Sequence, residues 1–266
     1  MSPEIVCGHT HLNTQRRFLM QKRWISACAL ASFSAVGFAQ ANLLNEFEPN
    51  PAGGDPSTQI IELKGTPGTS FDLWIVSVEN DGFNGTVDSF DNVTGTYDSS
   101  GLAAPIIDDL ENPSNTLILT DSFTGSTSTD IDPNDDGSVL DLSTFGTILD
   151  AVGVSDAAGD DASLYGAALG GTDILFNGEF EPLFVFRDSL TDVWYQGVTA
   201  DFGAPTERIA IFAADAGPEI SPSAFTPDAS SATLGSVNPT IPEPASLALI
   251  GIGGLTVLGR RRRLDG

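Results

Sequence analysis

An all-β domain is expected from three observations. Short apolar or alternating runs recur along residues 42–212, separated by clusters of Gly, Asn, Asp, Pro and Ser. Away from the two ends of the chain, no window of about 12 residues sustains a helical apolar period. Thr, Ser, Asp and Gly are abundant throughout. All are weak in helices, because polar side chains compete for backbone groups and glycine loses the most backbone entropy. Many short strands with frequent turns predict two antiparallel sheets packed as a sandwich.

Taken in order, residues 1–41 read as a leader. Arg16, Arg17, Lys22 and Arg23 make a basic region, 24–38 is an apolar run, and Ala39-Gln40-Ala41 supplies the small residues of a signal-peptidase site. Cleavage after Ala41 would start the mature chain at Asn42. Met20-Gln21-Lys22-Arg23 suits a start of translation, with 1–19 as an upstream extension. Strands are expected at 43–47, 59–64, 71–78, 86–92, 116–120, 147–152, 173–175, 183–187, 192–196 and 208–212. Turns are expected at Pro67-Gly68, Asp81-Gly82, Asn84-Gly85, Asp136-Gly137 and Asn177-Gly178, where glycine tolerates the φ that tight turns need. The sandwich domain is assigned to 42–212.

Residues 213–240 carry Pro218, Pro222, Pro227 and Pro239 among Ser, Ala, Thr and Asp, a composition expected of an extended linker. The tail, 241–266, has three parts: Pro242-Glu243-Pro244, an apolar run over 245–259, and Arg260, Arg261, Arg262 and Arg263. As a single hydrophobic helix the apolar run would span ~22 Å, short of the ~30 Å hydrocarbon core. Arginine stems can snorkel to the headgroups and lengthen that span, and their charge favours the cytoplasmic face. The tail is therefore expected to seat in a membrane with its arginines on the cytoplasmic face.

Charge and composition exclude several classes of function. Of the 36 acidic residues, only Glu4, Glu243 and Asp265 lie outside residues 42–240, and of the 11 basic ones only Lys64, Arg187 and Arg208 lie inside, so this stretch carries a net charge of −30. Phosphate backbones need the opposite sign, so nucleic acid is excluded as a partner. Cys7, Cys28, His9 and His11, the only cysteines and histidines, all fall in the leader. Thiol nucleophiles, Ser-His-Asp triads and Cys- or His-ligated zinc are thereby excluded from the mature chain. Carboxylate chemistry and oxygen-ligated metals remain. Acidic residues are so many that no pair stands out for glycoside hydrolysis, and no catalytic residue is assigned.

The strongest candidate for a site is the run Asp130 to Ser138. Calcium takes 6–8 hard oxygens, and Asp132, Asn134 and Asp136 occupy positions 1, 3 and 5 of an EF-hand-like loop with Gly137 at 6. Position 12 is Ser143 rather than a bidentate Glu, and no helices flank the loop. A plain acidic turn explains Asp-Gly equally well, so calcium and a simple turn both stay open. Trp74, Trp194, Phe71, Phe184 and Phe186 have the spacing of core residues, and Asp160-Asp161 reads as a solvated loop.

Two resemblances add to this reading. The tail, with its Pro-Glu-Pro, Gly- and Leu-rich span and arginine cluster, resembles the PEP-CTERM sorting signal of bacterial envelope proteins. That resemblance implies export through the Sec translocon and recognition by an exosortase, a membrane protease-transpeptidase that acts near Pro-Glu-Pro. It also implies a destination at the cell surface or in an exopolysaccharide matrix. The stretch 43–78, with Asn45-Glu46, Ile61-Glu62-Leu63 and the Pro67-Gly68 turn before an apolar strand, resembles the opening of lamin-tail-like domains. That implies an immunoglobulin-like β-sandwich serving as a structural or binding module. Together they imply a non-catalytic exported surface or matrix protein. A polysaccharide- or calcium-binding adhesion module and a secreted carboxylate-dependent hydrolase are the alternatives.

Overall fold

The strands fall largely where alternation places them. The computed structural model describes residues 41–242, apart from 54–55, 83, 111–113 and 138–139. Thirteen strands lie among the described residues. They are β1 (Leu43–Phe47), β2 (Thr58–Ile60), β3 (Glu62–Lys64), β4 (Ser70–Glu79), β5 (Val87–Thr96), β6 (Leu102–Ala103), β7 (Ile106–Asp108), β8 (Asn115–Thr120), β9 (Ile148–Val154), β10 (Thr172–Ile174), β11 (Pro182–Arg187), β12 (Trp194–Ala200) and β13 (Arg208–Ala213). The only helical elements among the described residues are single 3-10 turns, Asp160–Ala162 and Pro222–Ala224. The glycines of all five expected turns have positive φ.

Six strands form one sheet in the order β13-β12-β11-β1-β3-β6, five form a second in the order β10-β9-β8-β4-β5, and β2 pairs with β7 alone. The ladders are antiparallel except that β10 runs parallel to β9. The sheets pack face to face because alternate residues of each strand are large and apolar. Leu73 and Ile75 of β4 and Leu117 and Leu119 of β8 meet Leu44, Phe47, Leu63, Val185 and Trp194 of the other sheet in one buried cluster. Phe47 and Trp194 meet edge to face with ring centroids 6.1 Å apart.

Each outer face is also covered. Val76, Val78 and Ile118 face the other way and pack with Phe123, Ile131 and Tyr165 from the loops after β8 and β9. On the first sheet, Phe184, Phe186 and Ile211 pack with Phe225 and Ala229 from the chain beyond β13.

Three expectations differ from the structure. The single strand at 59–64 is two: the chain breaks at Ile61, whose N–H bonds Pro105 O, and passes from a pair with β7 to a pair with β1. The strand at 192–196 starts only at Trp194, because Asp192 has φ 57° and its N–H returns to Asp188 O in a turn. Beyond β13, residues 220–241 do not run off as an extended spacer. Ile220 pairs with Ile211, and Thr226 with Thr240. Proline here fixes an irregular path across the sheet rather than a free one. The leader through Gln40, with Ala39, and the expected helix with Glu243, Pro244 and Arg260 to Arg263 lie outside the described residues. Among the described residues no helix is long and apolar enough to cross a membrane.

Candidate functional site

The chemistry of this molecule concentrates where the C-terminal strap crosses β1, β3 and β11. A register shift between Leu44 and Glu46 interrupts the β1–β3 ladder. Such a bulge puts an extra residue in one strand and re-aims its neighbours. Leu44, Asn45, Glu46 and Phe47 are consequently all buried, and so is Glu62. The two buried glutamates are satisfied by hydrogen bonds rather than by cations. Asn45 Nδ2 donates to Glu62 Oε1 at 2.5 Å. From the strap, Thr233 N and Oγ1 donate to the two Glu46 oxygens at 2.7 and 2.8 Å, and Gly235 N donates to Glu62 Oε2 at 2.6 Å. Asn238 Nδ2 donates to Asn45 O and Arg187 O, each at 3.0 Å.

The far end of the strap is held by Asp188, just after β11. Thr240 Oγ1 donates to its carboxylate at 2.8 Å and Ile241 N at 3.0 Å. Leu190 N and Thr191 N also donate to Asp188 Oδ1. Burial pushes this carboxyl upward. The N–H groups of Leu190, Thr191 and Ile241 and the Thr240 hydroxyl outweigh it and hold the carboxyl below its usual range.

Beside the strap an ionic pin joins the sheets. Asp150 of β9 accepts from Leu44 N of β1 at 3.0 Å, and Arg187 of β11 donates to the same Asp150 oxygen at 2.6 Å. Arg187 Nε donates to Leu44 O at 2.8 Å, and its guanidinium lies 4.7 Å from the Trp194 ring centroid.

Glu46 responds to pH in the opposite sense to Asp188. Burial is the chief cause that raises it to about 7, beyond what the Thr233 donors pull back, with Glu62 and Glu48 adding repulsion. The folded state thus holds a proton more tightly than the unfolded chain. Stability contributed by this group is full below the unfolded value near 4.5 and is lost as pH rises through about 7. Between those limits each pH unit is worth up to ~1.4 kcal/mol. The melting temperature should therefore rise on acidification from pH 7.5 to 5. Glu46→Gln should flatten that rise; a slope identical to the parent's would show that Glu46 does not titrate in this window.

The predicted calcium residues are only partly brought together. Asp132 is buried, whereas Asn134 and Asp136 are exposed on the same turn. Asp132 Oδ2 accepts from Gly137 N at 2.8 Å and from Tyr165 Oη at 2.9 Å. Asp141 N bonds Ile131 O and closes the base of the loop. Among the described residues no three acidic side chains gather as a metal centre would require. Asp160 and Asp161 are half-buried rather than solvated: Ser114 Oγ donates to Asp160, and Asp161 accepts from Phe176 N. Trp194, Phe71, Phe184 and Phe186 are core residues as expected, and Trp74 is partly buried against the outer cluster.

Sequence reasoning quoted Asn45, Glu46 and Glu62 without a role and passed over Asp188 and the Asp150–Arg187 pin. One signal was available: Arg187 is one of three basic residues between 42 and 240. Of the three, Arg187 faces a buried carboxylate, whereas Lys64 and Arg208 pair with the exposed Asp192 and Glu219.

The fold and this site define an all-β body whose C-terminal segment is strapped back onto it, with the strap ending where the tail begins. Residues 240–263 match the PEP-CTERM protein-sorting motif, which implies export and sorting of the chain that carries it. Pro242 is the part of the Pro-Glu-Pro element among the described residues, and it is exposed. No curated protein and no solved structure matches the chain.

Proposed function

We propose that this chain is a non-catalytic exported protein of the cell surface or extracellular matrix, delivered as a preformed β-sandwich and processed at its tail by an exosortase-type enzyme. The observation that carries the reading is the sorting motif at 240–263, whose first residues are docked on the sandwich through Asp188. Cleavage beyond Pro242 would leave in place every strap contact described above. The body would therefore keep its fold whether it is released or attached. The leader, with Ala39 and Ala41, supplies entry to the Sec translocon, and the apolar run with its arginines supplies transient residence in the inner membrane.

The body suits an immunoglobulin-like, lamin-tail-like module: two stacked sheets, with Asn45, Glu46 and Glu62 of the resemblance drawn into one buried network. A mature stretch without cysteine or histidine supports a structural or binding role over catalysis. Extracellular polysaccharide is the partner class that such a destination offers. The intact mass of the protein recovered from the envelope and from the medium tests the proposal. A chain beginning near Asn42 and ending near 242–244, with or without an added moiety, is expected. A mass that retains residues 245–266 in both fractions would make the tail a permanent anchor and defeat the processing step.

A further inference from the structure

Asp132 is the one acidic residue of the turn that the fold draws inside. It is 1 % exposed. Its Oδ2 is satisfied twice, by Gly137 N and by Tyr165 Oη. Its Oδ1 is fully buried and has no hydrogen-bond partner among the described residues. A carboxylate oxygen that is removed from water and left without a donor is costly. Oδ2 is turned across the 132–137 turn onto the Gly137 N–H, so the carboxylate group belongs to that turn.

A neighbouring turn adds a second such oxygen. Asn84 Oδ1 is also buried and without a partner among the described residues, while its amide nitrogen reaches Ser163 Oγ at 3.3 Å. Gly85, next in the chain, lies so close that a Cβ added there would stand 2.8 Å from the Asp132 Cβ. Both unsatisfied atoms are acceptors, so what would complete each is a cation or a donor, not an anion.

The backbone suits a hard cation. Asp135 and Gly137 have φ of 51° and 66°. This left-handed pair turns the chain tightly between Asp132 and Gly137, as a short oxygen-ligand loop requires. A set made of Asp132, Asn134 and Asp136 contains two acids and one amide. It is therefore compatible with the finding that no three acidic side chains converge among the described residues. Calcium accepts amide and backbone carbonyl oxygens as readily as carboxylates.

We propose that the turn carrying Asp132, Asn134 and Asp136 is a calcium site, with Asp132 Oδ1 as its inner ligand and Asn134 and Asp136 closing over the ion from the rim. Ser143 stands where a strong loop of this kind has a bidentate glutamate, so the affinity falls in the ~0.1–1 mM range of extracellular modules. The site stands on the loop itself and does not depend on how the tail is processed.

The full chain, stripped with chelator and held in detergent at moderate salt, is titrated with calcium chloride while its melting temperature is followed, with magnesium at matched ionic strength as the control. Half-maximal stabilisation is expected at ~0.1–1 mM calcium. The rise should reach about 3–6 °C at 10 mM, and magnesium should give less than a third of it. Asp132→Asn should raise the half-maximal concentration at least tenfold. Because that buried substitution can itself perturb folding, Asn134→Ala and Asp136→Asn are measured too. Each should lose most of the calcium response relative to its own calcium-free melting temperature. No response to calcium, an equal response to magnesium, or rim variants that respond like the parent would each overturn the proposal.

Discussion

Arg187→Met should destabilise the protein by about 3–5 kcal/mol, the cost of stranding a buried charge whose partner has been removed. The pair it breaks is nearly out of solvent, with side-chain exposures of 10 % for Arg187 and 5 % for Asp150. Burial raises the Asp150 carboxyl despite Arg187 and the Leu44 and Ala151 N–H groups, all of which pull it down. Desolvation thus absorbs most of the attraction within the pair, which contributes little net stability while intact. Its removal still costs a great deal, because Asp150 remains buried facing Leu44 N. Methionine keeps the packing of the stem against Trp194, so the loss reports on charge rather than volume. Adding Asp150→Asn should return roughly half of the loss, since an amide oxygen still accepts from Leu44 without carrying charge. Equilibrium urea unfolding reads both. A single-variant loss below about 1 kcal/mol would mean that water reaches Asp150 and that the pin between the sheets is dispensable.

Asp188→Ala should cost about 2–4 kcal/mol, and the damage should be local. The substitution leaves Leu190 N, Thr191 N, Ile241 N and the Thr240 hydroxyl without their acceptor. The first two lie in the exposed turn after β11, and the last two end the strap. Hydrogen exchange should accelerate at 226–241 well before it does in β4 or β8, because strap and core open with different free energies. Limited proteolysis should gain a site in the same stretch. Asp188→Asn, which keeps one acceptor oxygen, should fall between parent and alanine. Uniform acceleration through the core strands instead would show that the strap and the sandwich unfold as one unit. The low-lying Asp188 and the high-lying Glu46 carboxyls also divide the strap by pH. The Asp188 contribution persists above its unfolded value and is lost only in strong acid, whereas Glu46 favours the folded state as pH falls toward 5.

Much of this protein was legible in its residues. Alternation alone located β1, β4, β8, β11 and β13 to within about two residues, because one face of each strand meets the opposite sheet and the other meets a covering loop. Glycine placed the turns, since only a residue without Cβ takes positive φ at no cost. The three-part tail and the imbalance of charge, read from order and sign, required no geometry. The two- and three-residue strands β6 and β7 were invisible, because periodicity needs more than one repeat to register. Composition misread 220–241: proline and serine argue against regular structure, and the strap is irregular, yet it is bound.

What the sequence by itself determined is therefore the all-β class, the acidic character, the absence of cysteine and histidine chemistry from residues 42–240, and the sorting tail. All of these are properties of short segments or of sums over the chain. What only the tertiary structure decided is which carboxylates are buried. Asp150 and Asp188 look no different in sequence from the other acids, and nothing local marks Glu46, Glu62 or Asp132 as buried. Each acquires its role from a donor brought to it across 5 to 187 positions of chain. Desolvation depends on what packs around a group, and no local pattern of residues encodes that.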